Sequence, residues 1–126
     1  MTQEEKGLLI RDLCSRLPYG IKVFYEYVDS VNKKTYGYSL TLNTWCINEM
    51  RAEKAVVKPY LRSMSSMTKE EYEEYTDIDN RSYSCPKDYA HIPASVRIDW
   101  LNAHHFDYRG LIEKGLALEA PKGMYN

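Results

Sequence analysis

His104 and His105 are the residues of this chain best placed to do chemistry. Imidazole changes charge near neutral pH, and Asp107, Tyr108 and Arg109 can supply an orienting acid, a hydroxyl and a clamp for an anion. That set describes a small hydrolase in which either histidine is the base and Arg109 binds the anion. Adjacent residues on a helix point about 100° apart, so the two rings share a ligand only where the helix has already ended. The competing expectation is structural, with one imidazole bonded to a backbone carbonyl in a turn and the other solvated. His104, His105 and Arg109 therefore stand as candidates, and no residue is assigned as catalytic.

Cys85, His91 and the histidine pair can in principle ligate zinc as two ligands from a loop and two from a helix, but their spacing matches no standard finger. The three cysteines, Cys14, Cys46 and Cys85, are an odd number with no Cys-x-x-Cys pair, which indicates reduced thiols and no disulfide framework. No metal is expected. The chain also lacks a phosphate-binding glycine loop, a dinucleotide fingerprint, a nucleophile elbow, a paired-histidine zinc helix and a calcium loop. No cofactor is expected, and the reading leans away from an enzyme.

Tyrosine is the compositional anomaly: 12 of them stand against 2 tryptophans and 2 phenylalanines. A tyrosine ring offers wide contact area while its hydroxyl stays hydrogen-bonded, which suits half-buried sheets and protein interfaces alike. Tyr25, Tyr27, Tyr36 and Tyr38, with Lys33 and Lys34 beside them, form the candidate binding surface. Ordinary sheet packing and base stacking are the alternatives, the latter helped by Lys22, Lys33 and Lys34. A nucleic-acid binder would add Lys58 and Arg62, yet a net charge of −1 removes the simplest case for it, so nucleic acid is an unlikely partner.

These residues need elements to hold them. At 126 residues the chain is long enough for one domain with a real core, expected to span 1–126. Thr2 and Glu5 make a capping box, followed by Ile10, Leu13, Cys14 and Leu17 on one helical stripe, with Pro18 and Gly20 ending the helix. Residues 21–28 and 35–42 alternate with period two and read as an antiparallel hairpin across a loop of about six residues. Gly37 marks a bulge or a close neighbour. In the ambiguous stretch 44–62 the expectation is a third strand at Trp45, Cys46 and Ile47, then a helix over 48–58 capped by Asn48 and stopped by Pro59. Thr68 with Glu71 makes a second capping box, opening a short, exposed helix whose Glu70, Glu71, Glu73 and Glu74 form a solvated acidic face. Residues 77–93 read as a loop. Pro93 starts a helix with Val96, Trp100 and Leu101 as its stripe, and Asp107 caps a short helix holding Leu111 and Ile112, stopped by Gly115. Residues 116–120 return as an edge strand.

The fold expected is α+β, a small antiparallel sheet built on the tyrosine-rich hairpin with N-terminal and C-terminal helices packed on one face, burying both stripes together. No apolar run is long enough to cross a bilayer, and the acidic N-terminus is unlike a signal peptide, so a cytoplasmic protein without membrane contact is expected.

Two phrases carry a resemblance. Val57-Lys58-Pro59-Tyr60-Leu61-Arg62-Ser63-Met64-Ser65-Ser66-Met67-Thr68, and the segment from Trp100-Leu101-Asn102-Ala103-His104-His105-Phe106-Asp107-Tyr108-Arg109-Gly110-Leu111-Ile112 to Ala117, resemble small uncharacterised proteins of phages, prophages and mobile elements of gut Bacteroidales. The match covers about a quarter of the chain, and Ser63 stands where many relatives have proline. The resemblance implies provenance, a bacterial host cell, and brings no activity or site residues. Together with the missing catalytic motifs and the excess tyrosine, the expectation is a non-enzymatic accessory protein that binds an unknown host or phage protein, with a homodimer as a further possibility.

Overall fold

The computed structural model describes residues 1–84 and 92–125. Helix α1, Gln3–Arg16, begins on the expected box: Thr2 Oγ1 accepts from Glu5 N at 3.1 Å, and Glu5 Oε1 accepts from Thr2 N at 2.9 Å. Its inward stripe is turned by one residue from the expected one. Leu9, Asp12, Leu13 and Arg16 are buried, whereas Cys14 is exposed. The cause is electrostatic. Arg16 Nε donates to Asp12 Oδ2 at 2.8 Å one turn away, so two charged residues enter the core as a pair that an apolar template passes over. A 3-10 turn at Leu17–Tyr19 and Gly20 at φ +67° then redirect the chain.

The hairpin forms as its alternation demands. Strands β1, Lys22–Val28, and β2, Thr35–Thr41, pair antiparallel from Lys22↔Thr41 to Val28↔Thr35. Gly37 proves to be the close neighbour and not a bulge, since a Cβ there would run into the Phe24 ring lying across it.

Between 44 and 62 the order of helix and strand is the reverse of the expected one. Helix α2, Thr44–Arg51, comes first and strand β3, Val56–Leu61, second. Asn43 makes the difference, because its Oδ1 accepts from Cys46 N at 3.0 Å and starts the helix five residues before the rival cap Asn48. Cys46, Ile47 and Met50 then share a buried face. Pro59 lies inside β3 and ends no helix. Val23↔Pro59 is the last pair of the β1–β3 ladder, and the ladder to β4, Leu118–Glu119, begins one residue later at Tyr60, so the proline sits where one ladder gives way to the other.

The sheet order is β2-β1-β3-β4, antiparallel except for the parallel β3–β4 pair. Leu9 and Leu13 of α1 and Cys46, Ile47 and Met50 of α2 cover the face carrying Val23, Tyr25 and Val57. Leu111, Leu116 and Ala117 close the same core. The molecule is thus an α+β fold.

A second, smaller core lies beside it. Helix α3, Lys69–Ser84, keeps the Thr68–Glu71 box but runs through residues expected to be loop, and helix α4, Ile92–Ala103, takes in the last of them. Tyr75 and Ile78, three residues apart, give α3 an inward face against Trp100, Leu101 and Phe106. Val96 is exposed and not part of that stripe. The Trp100 cluster therefore packs on α3 and does not merge with the N-terminal stripe. Asp107 caps as expected, its carboxylate accepting from Leu111 N at 2.9 Å and Ile112 N at 3.0 Å, yet the capped segment is a single turn and no helix. Gly115 at φ +73° closes it, with Leu116 N donating to Leu111 O at 3.0 Å.

Candidate binding surface

Because side chains alternate along a strand, the Tyr25↔Tyr38 and Tyr27↔Tyr36 pairs put all four rings on the face that carries the helices. Tyr25 is the anchor at 4% exposure, while Tyr36 and Tyr38 at the sheet edge are 40% and 44% exposed. The Tyr25 ring centroid lies 5.4 Å from that of Tyr38 and 5.8 Å from that of Tyr27, which lies 5.8 Å from that of Tyr36. Burial, and then the nearby Glu49 carboxylate, push the Tyr25 hydroxyl pKa upward, so it stays protonated.

The residue missed from the sequence is Trp45. Its ring stacks on Tyr25 at 4.9 Å and remains 46% exposed, extending the aromatic surface onto α2. Assigned to a strand, it pointed nowhere in particular. Recognising Asn43 as a cap would have put Trp45 in the first helical turn, directly after the tyrosine ribbon. Lys33 and Lys34 stand in the hairpin loop, where Asp29 Oδ1 accepts from Val31 N and Asn32 N, and Asn32 Nδ2 donates to Tyr36 Oη at 2.8 Å. Tyr25, Tyr27, Tyr36 and Tyr38 are thus brought together with the two lysines at one end of the ribbon.

The cations of the nucleic-acid alternative are dispersed. Lys33 and Lys34 follow the end of β1 that faces Val56, whereas Arg62 follows β3 at the opposite end of the sheet. Lys58 pairs with Phe24 in between, on the other face from the tyrosines. Arg62 is also engaged: its guanidinium holds Glu71 at 2.6 and 2.7 Å and lies 4.2 Å from the Phe106 ring centroid. The Arg62 hydrogen bonds bring the Glu71 carboxyl pKa down to about 2. Glu71 is therefore drawn out of the expected solvated acidic face, while Glu70, Glu73 and Glu74 remain exposed on it, Glu74 also accepting from Trp100 Nε1 at 3.1 Å.

The two histidines point to different neighbours. Asn102 and Leu101 carbonyls accept from His105 N and Phe106 N at 3.1 and 3.0 Å, which closes α4 with His105 at φ +65°, where glycine or asparagine is the usual residue. This reversal splays the rings. His104 stacks on Trp100 at 4.0 Å with Nδ1 2.9 Å from the Trp100 carbonyl, whereas His105 stacks on Tyr125 at 3.9 Å. Burial, with Arg16, His104 and Arg62 nearby, brings the His105 pKa down to about 4. The ring is thus neutral at pH 7, and half of the structural expectation holds: one imidazole meets a carbonyl, but the other is stacked and not solvated.

Arg109 turns elsewhere, its Nη2 donating to Tyr108 Oη at 3.1 Å and its Nε lying 3.5 Å from Asp12 Oδ1. His104, His105 and Arg109 do not converge on one cleft. Among the described residues, Asp12 Oδ1, Arg16 Nη1 and His105 Nδ1 are buried without a hydrogen-bond partner. The zinc alternative used Cys85 and His91, which lie outside the described residues.

The stretches 57–68 and 100–117 form one substructure. Arg62 N donates to His105 O and Asp107 N to Arg62 O, both at 2.8 Å, a parallel bridge between Arg62 and Phe106 that joins them backbone to backbone. Compared with protein-family models, with curated proteins and with solved structures, the chain finds no match.

Proposed function

We propose that this chain is a non-catalytic accessory protein of a phage or mobile element, and that it acts by binding another protein through the tyrosine ribbon and the β2 edge. One observation carries the binding reading. Tyr36, Tyr38 and Trp45 are large rings left 40–46% exposed, held in place by a buried Tyr25 and on or next to a strand that, among the described residues, pairs on one side only. Such rings lose little conformational freedom on binding and bury wide area, the usual make-up of an interface centre. The splayed histidines and dispersed cations give the hydrolase and nucleic-acid readings no comparable feature. The provenance rests on the resemblance of the two phrases, whose joining in one substructure is a physical reason for their occurring together.

The test is affinity capture from infected or lysogenic cells with the native chain and with a Tyr36→Ser, Tyr38→Ser, Trp45→Ala variant, followed by hydrogen exchange on the complex. The reading expects a protein held by the native chain alone, with protection at Thr35–Thr41 that the dilute chain on its own does not show. Equal capture by both chains, or protection confined to another surface, would overturn it.

A further inference from the structure

We propose that β2 pairs antiparallel with β2 of a second copy about a two-fold axis through Tyr38, joining the two sheets edge to edge. This rests on the reading of the edge as a protein-binding surface and names its occupant.

The strand, Thr-Tyr-Gly-Tyr-Ser-Leu-Thr, has no charge and no proline, and its register with β1 runs unbroken from Thr35 to Thr41, so no bulge turns it away. Edge strands left open to solvent are ordinarily blunted by one of these devices, and their joint absence marks an edge built to be covered. A two-fold through Tyr38 sets Thr35 opposite the second copy's Thr41, Tyr36 opposite its Leu40, Gly37 opposite its Ser39, and Tyr38 opposite itself. Every pair is then matched in face. Tyr36, Tyr38 and Leu40 continue the aromatic face from Tyr25 across the seam, while Thr35, Gly37, Ser39 and Thr41 meet on the other side.

Charge chooses the direction. Parallel pairing would place the two Lys33–Lys34 pairs side by side. Antiparallel pairing carries each pair to the far end of the other copy's strand, where α2 starts and presents Trp45 and Glu49, four residues apart on one helical face. A ring and a carboxylate are suitable neighbours for lysine.

Thr35 and Thr41 are exposed and lie directly opposite in the proposed register, so they can be recharged without touching the core. A Thr35→Glu, Thr41→Glu chain opposes acid to acid at both ends of the seam, and a Thr35→Lys, Thr41→Lys chain opposes base to base. Sedimentation equilibrium should show the native chain dimerising with a dissociation constant on the order of 10 µM, as befits a small seam. Each recharged chain alone should be at least about tenfold weaker, and their equimolar mixture should recover the dimer as a heterodimer. Circular dichroism of each chain confirms that it has folded. A native chain that stays monomeric to about 0.5 mM overturns the proposal, as do recharged chains that dimerise unaided, or a mixture that does not recover. Failure here leaves the capture experiment free to find a different protein on the same edge, and that outcome would assign the edge to a heterologous strand.

Discussion

At His105 a left-handed backbone, a buried ring nitrogen and three neighbouring cationic or ionisable groups coincide. The backbone term comes from closing α4, and the ring is kept in place by Tyr125, whose hydroxyl donates to Tyr60 O at 2.6 Å and accepts from Lys22 N at 3.0 Å. Burial brings the Tyr125 hydroxyl up to about 12, so this latch keeps its proton across the working range. His105 does not have that margin. Its folded pKa of about 4 lies below the ordinary 6.5, so the folded state resists the proton that the unfolded chain accepts. The contribution is whole above pH 6.5, is lost as the pH falls towards 4, and amounts to about 1–2 kcal/mol once solvent screening of the partly exposed ring is allowed for. Urea titrations across that window should show a falling midpoint, and His105→Asn, which suits the left-handed backbone, should flatten the slope there while lowering stability overall. A native chain whose midpoint stays level between pH 6.5 and 4 would contradict this account. Glu71, brought down to about 2 by Arg62, acts in the separate window from 4.5 to 2.

At the scale of elements, Gly37 offers a clean test of why β2 tolerates a glycine at its centre. A Cβ would displace the Phe24 ring from the open sheet face, so Gly37→Ala should cost about 0.5–1 kcal/mol although alanine is usually the better residue in a strand. Removing the ring should remove the conflict. In a double-mutant cycle with Phe24→Ala, chemical denaturation should show Gly37→Ala becoming neutral or stabilising, with a coupling of at least about 0.5–1 kcal/mol; additive effects would mean that the ring does not need the space. The hairpin was legible because its period-two alternation has no rival, and both capping boxes because two side chains must agree at a fixed spacing. Residues 44–62 were misread because Asn43 and Asn48 both qualify as caps and Pro59 looks like a helix stop until a handover between ladders is available to hold it. The N-terminal stripe was misplaced by one residue because Asp12 and Arg16 count as polar singly and belong to the core only as a pair. Trp45 was lost with α2, and with it the exposed ring that completes the candidate surface. That the two histidines would diverge was legible as an alternative, but the reversed backbone at His105 closes α4 at a position that ordinarily falls to glycine or asparagine, so its residue type gave no signal of it.

For the molecule as a whole, the decisive fact is that the described residues form two separate apolar clusters joined through polar groups. Arg16 reaches from the first to donate to the Phe106 carbonyl of the second at 2.7 Å, and the Arg62–Phe106 bridge ties the backbones. The sheet core buries Leu13, Val23, Tyr25, Ile47 and Val57 with α1 and α2, so it holds the tyrosine ribbon without help from α3. The Trp100 core depends on Tyr75, Ile78 and Met67 instead. Stability should therefore be uneven, and truncations in the two cores should be told apart by where they act. Trp100→Ala, expected to cost about 3–5 kcal/mol locally, should raise amide exchange through Lys69–Ser84 and Ile92–Ala103 while Lys22–Val28 and Val56–Leu61 keep most of their protection. Leu13→Ala, at about 2–5 kcal/mol, should lower protection everywhere, because Arg16 and the Arg62–Phe106 bridge tie the second core to the first. Hydrogen exchange read by mass spectrometry separates the two patterns. If Trp100→Ala loosens β1 and β3 as much as α3, the cores are one cooperative unit; if it does not, binding at the ribbon survives loss of the α3–α4 layer, and the surface and that layer are mechanically independent parts of one chain.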